Sequence, residues 1–114
     1  MTKAGIEARD RTLRIFAAEL CDAPGELRIS RRRLAELMGS DIVRAPDGFR
    51  LRFVSRRGST LAVREIRLSQ PASSALLDYL GHRGFCLGME VPFWIGRKGD
   101  GRLRADSIRR ILRG

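Results

Sequence analysis

The chain has 114 residues, 43% of them apolar, a formal net charge of +10 and an isoelectric point near 11.4. That length predicts one domain, 1–114, with a single modest core. No apolar run approaches the roughly 20 residues of a membrane-spanning helix, and the N-terminus lacks a charged-then-apolar leader, so a cytoplasmic protein with no membrane partner is expected.

Leu13, Ile15, Phe16, Ala17 and Leu20 recur at helical spacing and predict an amphipathic helix from about Glu7 to Leu20. The cluster Asp22-Ala-Pro-Gly25 breaks it. Ser30 then stands as the N-cap of a second helix that carries Leu34, Leu37 and Met38 inward and stops at Gly39. Asp47-Gly48 predicts a turn into two strands, which form a basic hairpin with Arg56-Arg57-Gly58 at its tip. Arg50 and Arg52 alternate with Leu51 and Phe53, and Arg64 and Arg67 bracket Ile66, so apolar residues take one side of each strand and guanidinium groups the other. Ser69 caps a third helix with Pro71 in its first turn and Leu76, Leu77 and Leu80 as its buried stripe, ending near Gly81 to Gly84. Val91-Pro-Phe-Trp-Ile95 reads as a short strand or extended piece, Arg97 to Arg102 as a polar turn, and Ala105 to Arg113 as a last helix with Ile108, Ile111 and Leu112 inward. The expected fold is a small α+β domain of about four helices with a two- to three-stranded antiparallel hairpin sheet.

Of the 23 basic residues, 21 are arginine. Arginine presents a planar fork that holds phosphate with two hydrogen bonds, so double-stranded DNA is the expected partner. The candidate contacts are Arg28, Arg31, Arg32 and Arg33 around the second helix, Arg50, Arg52, Arg56 and Arg57 on the hairpin, and Arg97 with Lys98 in the late turn. Cys21 and Cys86 lie far apart with no Cys or His at ligand spacing; they read as reduced packing residues, and no metal or cofactor is expected. Tyr79 falls on the core-facing end of the third helix, and His82 has no arginine three residues on. Neither has the base or orienting partner that a nucleophile needs, so no catalytic residue is assigned.

The order of elements and several short phrases together resemble the N-terminal part of a tyrosine recombinase (phage-integrase type) catalytic domain. In that family a phrase like "W-S-D-I" leads to a turn, a strand, a "G-K-G" tip and a second strand closing on "V-P-L"; Ser40-Asp41-Ile42, Asp47-Gly48, Arg56-Arg57-Gly58 and Glu65-Ile-Arg-Leu68 stand in those places. Asp78-Tyr79-Leu80 matches a helix ending in "Y-L". Pro92 to Leu103 with Ser107 to Leu112 echoes "L-F-x-S-R-x-G-x-L-S-x-x-x-V-x-R-I-L". The match runs over Arg28 to Leu112.

The resemblance implies a phosphate-gripping surface. It also implies lost chemistry, because the chain ends where the family continues to its histidine-x-x-arginine box and its tyrosine nucleophile. Leu27-Arg28-Ile29-Ser30 echoes "G-L-R-x-S-E" but lies two residues too far from Ser40-Asp41-Ile42, with Arg31 in place of the acidic residue. Arg56 or Arg57 replaces the hairpin lysine, and a guanidinium does not readily give a proton to a leaving oxygen. The expected function is that of a non-catalytic DNA-binding regulator or accessory factor. One alternative is a winged helix-turn-helix regulator, suggested by Leu34-Ala-Glu-Leu-x-Gly39, although Pro46 follows before a recognition helix can form. The other is a fragment that completes a split recombinase, or that binds a recombinase partner or a second copy of itself as a homodimer.

Overall fold

Thr2 opens the first helix: its Oγ1 accepts from the Gly5 amide, and α1 (Lys3–Phe16) starts earlier than the apolar spacing alone predicts. It runs on through a π-helical turn, Ala17–Cys21, which turns Ala17 and Leu20 into the core beside Leu13 and Phe16. The computed structural model describes residues 1–22, 28–98 and 101–113, with backbone alone for 55–57. The break predicted at 22–25 and the tip of the turn at 99–100 fall largely outside those residues.

Ser30 caps α2 (Arg31–Ala35) as expected, its Oγ accepting from the Arg33 amide at 3.0 Å. The helix stops short of the predicted stretch. Backbone bonds to the segment 91–93 take over instead: the Phe93 amide donates to Leu37 O, and the Gly39 amide donates to Val91 O, at 2.9 and 2.8 Å. Leu34 and Leu37 are nonetheless buried, while Met38 is only half-buried and bridges Pro92. Gly39 does not simply end a helix. It opens a 3-10 turn (Gly39–Asp41) packed so closely that a Cβ there would sit 2.0 Å from the Cys86 carbonyl oxygen.

Three strands follow as an antiparallel meander: β1 (Ile42–Ala45), β2 (Gly48–Arg57) and β3 (Thr60–Arg67), in the order β1-β2-β3. Gly48 and Gly58 take positive φ at the two turns, +139° and +59°, which L residues rarely adopt. Ile42, Phe49 and Leu51 are buried on the inner face, with Phe53 and Ile66 half-buried at their side. Arg64 pairs with Phe53 and so shares that inner face, two residues from Ile66, rather than joining Arg67. The outer face in turn holds exposed Val54, Leu61 and Val63 beside its charged residues. The clean division of apolar and basic faces thus holds only for the half of the hairpin that meets the core; no residue of β3 is buried.

Ser69 caps α3 (Gln70–Arg83), and Glu19 holds that cap from the end of the first helical segment by accepting from the Ser69 amide at 2.6 Å. α3 lies along α1, where the Thr12 hydroxyl is shared between the carbonyls of Ala8 and Ala75. Leu76 and Leu80 are buried; Leu77 is not, at 55% exposure, because the inward stripe runs through Ala72, Ala75, Leu76, Tyr79 and Leu80 and leaves position 77 turned aside. Residues 91–95 form no regular strand. They thread through the core in extended form, with Phe93 and Trp94 fully buried against Phe16 and Tyr79. α4 (Ala105–Arg113) spans the predicted range, Ile108 buried and Ile111 and Leu112 half-buried, and packs against α1 and α2. The described residues form a small α+β domain of four α-helices and a three-stranded antiparallel sheet. Among the described residues no helix is long and apolar enough to cross a membrane.

Candidate nucleic-acid interface

The arginines fall into two electrostatic environments, and strand register decides the first. Pairing Arg52 with Glu65 and Arg50 with Arg67 puts three guanidinium groups on one outer face with two carboxylates. Arg52 donates twice to Glu65 Oε1, from Nε at 3.0 Å and Nη2 at 2.8 Å. Arg50 lies 3.7 Å from Glu65 and 3.9 Å from Asp47, and Arg67 lies 3.2 Å from Asp47. Such exposed pairs contribute little stability. Their larger consequence is that the hairpin face carries far less positive potential than its arginine count suggests. The backbone of Arg56 and Arg57 forms the tip as expected, paired with Leu61 and Thr60, and their side chains lie outside the described residues.

The second environment is cationic, with no such compensation among the described residues. A cleft of about 510 Å³ lies between α1, the turn after Ile95 and the start of α4. Its floor is Leu103 and Ile111, and its rim is Arg97, Lys98, Arg102, Arg104 and Arg110. The turn is pinned by bonds from the Gly96 amide to Gly101 O and from the Leu103 amide to Trp94 O, both 2.9 Å. Behind the rim Arg9 is buried, spent on Asp10 and on Ile95 O. Among the described residues the side chains of Arg97, Lys98, Arg104 and Arg110 make no ion pair, and the Arg102 side chain makes one hydrogen bond, to Met38 Sδ at 3.3 Å.

A second cleft, about 520 Å³, opens between α2 and α4 with an apolar floor of Ala35, Leu103, Ile108 and Leu112. Arg31, Arg32, Arg102 and Arg109 rim it. Arg31 pairs with Asp22, Arg32 with Glu36 and Arg109 with Asp106, at 3.2, 3.3 and 3.0 Å, all on exposed side chains. Arg102 and Leu103 line both clefts, which flank α4 on opposite faces, Ser107, Arg110 and Ile111 on one side and Ala105, Ile108, Arg109 and Leu112 on the other. The fold therefore gathers Arg31 and Arg32 with Arg97 and Lys98 around α4, and places Arg50 and Arg52 elsewhere. Arg28 is exposed and Arg33 half-buried, and neither lines a cleft. Arg102, Arg104, Arg109 and Arg110 were not singled out from sequence; the signal was the charged side of the last predicted helix, which reads equally well as a solvated face.

A larger cleft, about 640 Å³, lies between β1, β2 and the end of α3, lined by Ile42, Phe49, Leu77, Leu80, Phe85 and Leu87 with Arg44 and Arg52 at its edge. Ser40 brings a hydroxyl to it, and among the described residues no acid or base lines it to activate that hydroxyl. Tyr79 is fully buried: its hydroxyl donates to Phe93 O at 2.8 Å and accepts from the Ile95 amide at 3.1 Å, and burial raises its pKa. The hydroxyl is thus a core strut. His82 sits near the surface, 3.9 Å from Asp78. Burial likewise pushes the thiols of Cys21 and Cys86 up, away from the thiolate form that reacts or binds metal. Among the described residues no group of three or more His, Cys, Asp or Glu could hold a metal ion. Compared with known proteins, the chain matches no family model, no curated protein and no solved structure.

Proposed function

We propose that this chain is a non-catalytic DNA-binding protein, a regulator or accessory factor that grips the duplex backbone with the joined cationic surface of α2, the turn after Ile95 and α4. The observation that carries this is the rim of Arg97, Lys98, Arg102, Arg104 and Arg110, uncompensated among the described residues and continuous through Arg102 with Arg31 and Arg32. Like charges held around a concavity with low-dielectric walls repel one another and concentrate potential, and an anionic backbone relieves both. The motif resemblance to a tyrosine recombinase core agrees with this chemistry, and Tyr79, its hydroxyl bonded within the core, is not placed to act as a nucleophile. The winged-helix alternative needs a recognition helix after α2, where Gly39–Asp41 and Ile42–Ala45 instead form a 3-10 turn and β1.

A fluorescence-anisotropy titration of the full chain against duplex DNA over a salt series tests the proposal. Expected is tight binding at low salt that weakens steeply as salt rises, with modest sequence preference, and no relaxation of supercoiled DNA or covalent adduct. Absence of binding at low salt, or binding indifferent to salt, overturns it. A second reading, attachment to a recombinase or to another copy of this chain, is favoured by one observation only: Phe85 and Leu77 stand 72% and 55% exposed at the mouth of the large apolar cleft. Light scattering over a concentration series reports self-association directly.

A further inference from the structure

The cleft of about 640 Å³ between β1, β2 and the end of α3 shares no lining residue with the two clefts beside α4, and its size suits a small ligand. Leu77 and Leu80 of α3, Phe85 and Leu87 of the segment after it, and Phe49 of the sheet make its walls apolar. One charge at its edge is unanswered. Arg52 is committed to Glu65 by two hydrogen bonds. Arg44 pairs with Phe49 and so stands on the sheet face that the cleft borders; it is exposed and makes no ion pair among the described residues.

Gly81 is the second unusual feature. It follows Leu77 by four residues on α3, which puts both on the ridge that lines the cleft, and a Cβ added there would meet no atom within 4 Å. Glycine weakens a helix relative to alanine, yet no close neighbour demands it here. Its effect is to leave room in the cleft that a side chain would partly fill.

We propose that this cleft binds a small amphipathic monocarboxylate, an aliphatic or aryl acid, with its apolar body along Leu77, Leu80 and Phe85 over Gly81 and its carboxylate on Arg44. Apolar walls alone would also suit a second copy of the chain, but two chains of charge +10 repel each other. A cleft edged by arginine, with no acid among its described lining residues, favours an anion instead. The guanidinium can take a carboxylate through two parallel hydrogen bonds, which apolar surroundings strengthen. A single unpaired arginine among the described lining residues matches a single negative charge, and the apolar walls match the rest of the molecule. The site is separate from the DNA-binding surface, and its test needs no DNA.

Isothermal titration calorimetry of the full chain with decanoate, kept below its micellar concentration, tests the site against two controls. Acetate has the charge without the body, and decylammonium has the body with the opposite charge. Decanoate is expected to bind saturably, acetate not measurably, and decylammonium roughly tenfold more weakly or worse. Arg44→Ala is expected to lower the affinity for decanoate roughly tenfold, as for a lost hydrogen bond between charged groups. Gly81→Leu should fill the cleft and abolish saturable binding while its urea midpoint stays at or above that of the wild type, because leucine is the better helix former. No saturable binding of decanoate, equal affinity for decylammonium, or undiminished affinity in Arg44→Ala overturns the site, and so does a well-folded Gly81→Leu that still binds. The wild-type and Arg44→Ala measurements stand even if Gly81→Leu folds poorly. Self-association that Gly81→Leu removes, with no decanoate binding in the wild type, overturns the proposal in favour of a second copy in the cleft.

Discussion

Arg104→Ala with Arg110→Ala separates the placement of charge from its amount. Both side chains are exposed and neither forms an ion pair among the described residues, so their removal should change stability by no more than about 0.5 kcal/mol. The rim holds five cations, Arg97, Lys98, Arg102, Arg104 and Arg110. If each meets one phosphate, log affinity falls with log salt at a slope of about −4.5, and going from about 50 to about 200 mM salt costs roughly 500-fold in affinity. The double variant keeps three rim cations, so its slope becomes about −2.7 and the same salt step costs roughly 40-fold. Arg50→Ala with Arg52→Ala is the matched control. Each double variant lowers the formal charge from +10 by two, to +8, but the hairpin pair is already held by Glu65 and Asp47 and should leave the slope near that of the wild type. Anisotropy titrations of all three proteins at several salt concentrations decide the matter. Equal slopes for the two variants would mean that DNA responds to net charge alone, and the cleft would lose its claim to be the interface.

Tyr79→Phe strands the Phe93 carbonyl and the Ile95 amide in the core, and should cost roughly 2 kcal/mol in urea unfolding followed by Trp94 emission while leaving DNA affinity unchanged; a covalent DNA adduct at Tyr79 would contradict its role as a strut. Gly39→Ala drives a methyl group into the Cys86 carbonyl and should destabilise by about 3 kcal/mol on the same unfolding assay. Burial raises Tyr79, Cys21 and Cys86 above their ordinary values of 10.0 and 9.0, so the folded protein keeps protons that the unfolded chain releases in base. The stability they contribute is therefore full below about pH 9 and is lost as pH rises further; a urea midpoint that stays level up to pH 11 would contradict this.

Local rules account for most of the fold. Ser30 and Ser69 cap helices because a side-chain oxygen three residues before an amide is a short-range fact, and Asp47-Gly48 turns because Gly48 tolerates a φ of +139°. The apolar spacing of Ala105 to Arg113 was enough to define α4. Failures came where partners distant in sequence outbid local preference. The second helix loses its last turn to backbone bonds from Gly39 and Phe93 to and from a segment more than fifty residues on, and Leu77 fits the spacing of α3 as well as Leu76 does but falls outside the stripe that α1 covers.

The candidate site was harder to read because an arginine's availability is set by what lies opposite it. Arg52 and Arg104 look alike in sequence, each alternating with apolar residues, yet the hairpin register places Glu65 against Arg52 and nothing described against Arg104. Arg31 and Arg102 lie 71 positions apart and still rim one cleft, because α4 packs on α2 and the bond from Leu103 to Trp94 draws the late turn to the same side. Net charge is thus a weak guide to the binding surface even when it is as large as +10. What concentrates potential is a fold that answers some cations with carboxylates and collects the others around a concavity. By that criterion the hairpin, for all its six arginines between 48 and 67, ranks below the α4 face wherever its side chains are described.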